Sequence, residues 1–122
     1  MDSKESKKKI GFKYAIHGIK YVFTHERNFR IHSLALIVVI LLGIIVNVSL
    51  IEWMFLLSVS GIVLITEMTN SAIELMVDYM KPGIHPSAKA IKDIAAGAVL
   101  IAALIAVVVG CIIFIPKLIA YF

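Results

Sequence analysis

From residue 31 to 50, and again from 94 to 122, the chain runs for the length of a bilayer without an acidic residue, and Lys117 is the one Lys or Arg in either stretch. A hydrocarbon core of about 30 Å is crossed by roughly 20 helical residues, so both stretches are long enough to span it. A third stretch, 53–77, reaches that length if it carries Glu67, Asn70 and Glu74 inside it. Lipid offers a bare backbone no hydrogen bonds, so continuous apolar runs of this length span as helices. The expected fold class is an all-α integral membrane protein with three transmembrane helices, at 31–50, 53–80 and 87–121. With 122 residues and 61% hydrophobic content, residues 1–122 read as a single membrane domain without a separate soluble unit.

The third stretch is unusual because its polar residues share a side. At about 100° per residue, Glu67, Asn70, Glu74 and Asp78 fall on one narrow helical face, with Ser71 beside them. An ionisable group at the centre of a spanning helix costs roughly 2.5 to 3.5 kcal/mol, so this column must face water, cations or a ligand. Glu67 lies fourteen residues, about 21 Å, below Trp53, whose indole suits the outer interface. Glu74 and Asp78 then lie at headgroup depth. The bland alternative is a helix leaving the membrane with merely solvated acids; it suits Asp78 better than Glu67, which apolar residues flank.

Basic residues set orientation by staying on the cytoplasmic side. The net charge is +4, and ten of the twelve Lys and Arg precede residue 31 or fall within Lys81 to Lys89, with Lys92 continuing the second group. The N-terminus and the connection between the second and third spanning helices are therefore expected to be cytoplasmic, and the C-terminus outside. No cleaved leader is expected, because about thirty mixed residues precede the first apolar run. The single cysteine, Cys111, permits no internal disulfide and reads as a packing residue.

Residues 1–9 form a lysine-rich tail suited to anionic headgroups. Over 10–30, Lys13, His17, Lys20, Thr24 and Arg27 make a polar stripe opposed by Phe12, Ile16, Ile19, Val22 and Phe23. This is the pattern of an amphipathic helix lying on the membrane surface. If the helix is unbroken, Glu26 projects with Ile19 and Val22, and Arg30 joins that side. Pro82 and Gly83 end the second spanning helix, and His85 or Ser87 is placed to cap the third. In the third, Ala98, Ala102, Ala106 and Gly110 recur every fourth residue, a spacing that favours close helix approach.

Acids at the cytoplasmic boundary beside lysines and an amide suit a hard cation that carries phosphates. Magnesium is commonly held by one or two carboxylates together with nucleotide oxygens. Glu26 and Glu74 can supply those carboxylates, Lys92 and the tail lysines can meet phosphates, and Glu67 can orient or deprotonate a lipid hydroxyl. No GxxxxGK[ST] loop and no GxGxxG turn occurs, so a standard nucleotide-binding fold is excluded. The histidines at 17, 25, 32 and 85 show no zinc spacing, and most read as interfacial or structural, with His85 the exception. Nucleic acid is not an expected partner.

The run Glu67-Met-Thr-Asn70-Ser-Ala-Ile-Glu74, followed after a short loop by Lys92-Asp93-Ile-Ala-Ala-Gly-Ala-Val, resembles the signature of the prokaryotic diacylglycerol kinase family, which includes undecaprenol kinases. The resemblance covers almost the whole chain. It implies a homotrimer in the bacterial cell membrane, with composite sites that use ATP and Mg2+ to phosphorylate a lipid alcohol. By position it implies Glu67 as general base, Glu26 and Glu74 as metal-holding acids, and Asn70 within the same motif, with Arg30 as a further substrate-positioning candidate. Tyr14, Gly83, Ile84, His85, Lys92 and Asp93 match nucleotide-contacting positions, and Lys9 stands in for a basic residue near the N-terminus. The segments His25 to His32 and His85 to Lys89 look more like those of Gram-positive undecaprenol kinases, so a polyprenol is the favoured acceptor and diacylglycerol the alternative. A small cation transporter is the competing reading from another class. Such a pathway needs polar groups at every depth, yet 53–65 offers only Ser58 and Ser60.

Overall fold

The computed structural model of the chain describes residues 3–80, 83 and 85–122, with side chains from Gly11 onward. Four helices follow one another: α1 (Ser3–His25), α2 (Arg27–Ile45), α3 (Leu50–Met80) and α4 (Pro86–Tyr121). The last three are long and apolar enough to cross a membrane. Their outer faces expose Ile, Leu, Val and Phe, as the lipid-facing sides of spanning helices do.

The surface helix does not run unbroken to Arg30. It ends at His25, and Glu26 is extended at φ −112° and ψ 110° before α2 begins. Neither proline nor glycine causes the break. Side chains instead engage carbonyls in the last turns of α1: Arg30 Nη1 donates to Phe23 O at 2.8 Å and to Thr24 O at 3.0 Å, and Thr24 Oγ1 donates to Lys20 O at 2.9 Å. His25 stacks on Tyr21 at 4.1 Å between ring centroids. The buried Val22 and Phe29 flank the bend, and Phe23 meets Phe29 edge-on, which fixes where α2 starts.

The α2–α3 turn is closed by its own backbone. Asn47 is left-handed at φ 58°, its N–H donates to Ile44 O, and Val48 N–H reaches Gly43 O at 3.0 Å. These are the two bonds of a Schellman ending, in which asparagine replaces the usual glycine. Ser49 and Glu52 then form a reciprocal capping box: Glu52 N donates to Ser49 Oγ at 3.2 Å, and Ser49 N donates to Glu52 Oε1 at 2.9 Å. Lys117 Nζ of α4 approaches the same carboxylate at 3.0 Å, tying the start of α3 to the end of α4.

At this end Val48, Leu56, Ile113 and Phe114 form the core, with Trp53 against them. Further along, α4 turns Ala88, Ala95, Val99 and Ala102 inward, where α3 turns Val63, Glu67, Ser71 and Val77. The fourfold small-residue stripe therefore contributes Ala102 to the buried face while Ala98 stays exposed. Ala106 and Gly110 instead line an apolar groove of about 370 Å³ bounded by α2, α3 and α4. At the α3–α4 connection Gly83 is left-handed at φ 99°, and His85 caps α4 by accepting from Ser87 N at 3.2 Å, with Pro86 in the first turn.

Candidate active site

Glu67 is the most buried ionisable residue described, only 4% exposed. Its partner comes from the neighbouring helix, where His32 places Nε2 3.4 Å from Glu67 Oε1. The bend at Glu26 delivers this contact, because it sets the first turns of α2 against α3. About one turn further along α3, Asn70 carries the only buried side-chain oxygen or nitrogen among the described residues without a partner, Oδ1. Thr66 and Thr69 do not serve it, since each hydroxyl bonds back to its own helix at 2.9 Å. An orphaned acceptor beside a buried carboxylate is suited to a donor arriving with a ligand or another chain.

Glu74 and Glu26 are both half-buried and have no hydrogen-bond or ion-pair partner among the described residues. Glu74 lies two turns beyond Glu67 on α3, and Glu26 sits at the α1–α2 bend, whose flanking helices both contact α3. No group of three or more His, Cys, Asp or Glu among the described residues closes into a ready-made metal cage. Magnesium needs no such cage, because it takes one or two carboxylates and completes its shell with water and phosphate oxygens. Two unpaired carboxylates with an orphaned amide oxygen nearby fit that requirement.

Nearer the α3–α4 connection, Lys92 of α4 pairs with Asp78 of α3 at 2.5 Å, and Asp93 pairs with Lys89 at 2.6 Å. Lys92 and Asp93 therefore flank the α3–α4 connection, beside Gly83 and His85. Tyr14 is exposed on α1, edge-on to His17 at 6.4 Å. Arg30 is engaged with the end of α1. The side chain of Lys9 and the whole of Ile84 lie outside the described residues. Glu67, Glu74 and Asp78 descend α3 in order, seven and eleven residues apart from the first, or about 10 and 16 Å along the axis.

The family model of prokaryotic diacylglycerol kinase matches residues 13–114, which include every one of these positions except Lys9. The chain belongs to this family. It is a membrane lipid kinase, and its membership accounts for charged groups on a buried helix face. Undecaprenol kinase of Bacillus subtilis (strain 168) is 42% identical over 97% of this chain and 100% of its own length. A diacylglycerol kinase of Synechocystis sp. is 39% identical over 91% of this chain and 64% of that protein, and diacylglycerol kinase of Escherichia coli (strain K12) is 32% identical over 81% of each.

Within the kinase the contact that sequence reasoning missed is His32. It stands at the edge of the first apolar run, where an isolated histidine reads as interfacial. Only the crossing of α2 over α3 brings it to Glu67. The one available signal was an imidazole near the start of a spanning helix, at a depth comparable to that of the buried acid.

Proposed function

We propose that this kinase transfers the γ-phosphoryl group of ATP to the hydroxyl of undecaprenol at the cytoplasmic surface of the membrane. The observation that carries the proposal is Glu67, a buried carboxylate held at the edge of the hydrocarbon with an unpaired acid seven residues below it. A lipid alcohol presents its hydroxyl at that depth while the nucleotide approaches from the cytosol, so the ladder on α3 receives each substrate at its own level. The undecaprenol kinase of B. subtilis, matched over its whole length, supports the polyprenol acceptor.

Glu67 takes the proton of the lipid hydroxyl as its oxygen attacks the γ-phosphorus and ADP leaves. Glu26 and Glu74 hold Mg2+, which when bound offsets the charge on the phosphates. Lys92 meets phosphate oxygens once it exchanges Asp78 for them, while Asp93, Tyr14 and the loop from Gly83 through Ile84 to His85 line the nucleotide, with Lys9 approaching from the tail. Asn70 orients the reacting hydroxyl through its free oxygen, and Arg30 sets the bend that presents Glu26. A homotrimer supplies the walls that one chain lacks, consistent with the orphaned Asn70 acceptor and the unpaired carboxylates. The N-terminus and the α3–α4 connection lie on the cytoplasmic side, and the C-terminus outside.

The test is phosphate transfer from labelled ATP, with magnesium, to an equimolar mixture of undecaprenol and diacylglycerol in one set of micelles, where the products report the ratio of kcat/KM directly. Label on undecaprenol is expected. Preference for diacylglycerol, the acceptor in the names of the Synechocystis and E. coli relatives, keeps the chemistry and replaces the acceptor. Glu67→Gln is expected to reduce turnover by about 100-fold or more, while ATP binding persists. Turnover near that of the unmodified enzyme removes Glu67 as the base.

A further inference from the structure

Outside the residues already assigned, one contact joins the reacting level of α3 to another helix. His32 Nε2 stands 3.4 Å from Glu67 Oε1, with the two side chains 28% and 5% exposed. We infer that His32 is the positioning residue of the base: it donates from Nε2 to Glu67 Oε1, fixes the carboxylate in one rotamer and leaves the other oxygen free for the substrate hydroxyl. This inference rests on Glu67 being the base.

A Glu side chain has three rotatable bonds, and a base must lie within hydrogen-bond reach of the proton it removes. The rest of its own helix face does not hold Glu67. Thr66 and Thr69 bond to backbone carbonyls, and Glu74 carries a carboxylate, which accepts rather than donates. No charged residue lies between Asp93 and Lys117 on α4. Among the described residues, His32 is the one basic side chain within 4.0 Å of the Glu67 carboxylate. The separation is long for a hydrogen bond, as contacts to catalytic groups often are before substrate binds. His32 also lines the head of the apolar groove between α2 and α4, so the group that aims the base stands where that groove meets the polar ladder.

Three substitutions at position 32 separate aiming from packing. Gln sets an amide N–H close to where the imidazole Nε2 stands, Asn is polar but too short to reach, and Leu fills the space without a donor. His32→Leu and His32→Asn are expected to lose about 10- to 100-fold in kcat, with KM for ATP-magnesium unchanged, whereas His32→Gln recovers most of the loss. Added to Glu67→Gln, His32→Leu should produce no further loss, because its effect passes through that carboxylate. Turnover of His32→Asn near that of the unmodified enzyme overturns the inference, as does His32→Gln falling as far as Asn, or a further loss in the double variant. Full activity of Glu67→Gln alone instead removes the base, a result distinct from each of these. A His32→Leu chain that fails to fold leaves the Gln and Asn comparison to decide, since both keep a polar group at the interface.

Discussion

Replacing Gly43 by Ala tests whether the α2–α3 hairpin is closed as tightly as its turn geometry implies. A Cβ on Gly43 would lie 2.5 Å from Trp53 Cη2, 3.0 Å from Cζ2 and 3.1 Å from Cζ3. Carbon atoms rest at about 3.5 to 4.0 Å, so the far edge of the indole must retreat by about 1 Å. It has little room, because Trp53 lies against the cluster of Val48, Leu56, Ile113 and Phe114. Overpacking of this kind costs about 1 to 3 kcal/mol, whereas exchanging Gly for Ala within a helix gains up to about 1 kcal/mol. The net expectation is a loss of about 1 kcal/mol, read as a lower unfolding midpoint in detergent. The sign should reverse in a Trp53→Leu background, where the six-membered ring is gone and Gly43→Ala is left with its helical gain alone. Equal effects of Gly43→Ala in both backgrounds would show that the indole does not rest on that glycine. The consequence reaches the active site, since His32 lies eleven residues before Gly43 and Glu67 fourteen after Trp53. Loosening this clasp lets the other end of the hairpin shift.

Three further outcomes follow from the same geometry. Glu74→Gln should move the magnesium titration of activity to higher concentration while leaving the helices intact, and an unaltered titration would place the metal elsewhere. Ser49→Ala removes the hydroxyl that accepts from Glu52 N and should cost about 1 kcal/mol in detergent unfolding, with turnover unaffected at the opposite end of α3. Ala102→Ile adds three carbons to a position 7% exposed between α3 and α4 and should destabilise the chain by about 1 to 3 kcal/mol, a loss that Ala98→Ile on the exposed side does not share.

The spanning helices were legible because length and apolarity alone select them, and the acid ladder because one helical period aligns its members. The bend at Glu26 was not legible. No breaker residue marks it, and it depends on Arg30 folding back seven residues to Phe23 O. The α2–α3 turn was not anticipated either, although the sequence carries its signals: Asn47 offers a residue that tolerates left-handed backbone, and Ser49 with Glu52 has the spacing of a capping box. Those signals are local and need no tertiary knowledge. The small-residue stripe was legible only in part, because a period of four drifts around a helix of 3.6 residues per turn. The true contact face passes through Ala95, Val99 and Ala102 rather than through Ala98.

The site shows the same division between local and crossing information. Glu67, Asn70 and Glu74 share one helix, so their alignment follows from spacing. The pairings of Lys92 with Asp78 and of His32 with Glu67 join residues 14 and 35 positions apart on different helices, and no periodicity encodes them. Those crossings nevertheless relate the helices to one another, because Lys92–Asp78 joins α4 to α3 while His32–Glu67 joins α2 to the same helix. Helix α3 thus meets a neighbouring helix at two levels, α2 at Glu67 and α4 at Asp78. A rigid α3 keeps the roughly 10 Å step from Glu67 to Glu74 constant. For a phosphoryl transfer governed by placement of donor and acceptor, that fixed step is what the protein has to supply.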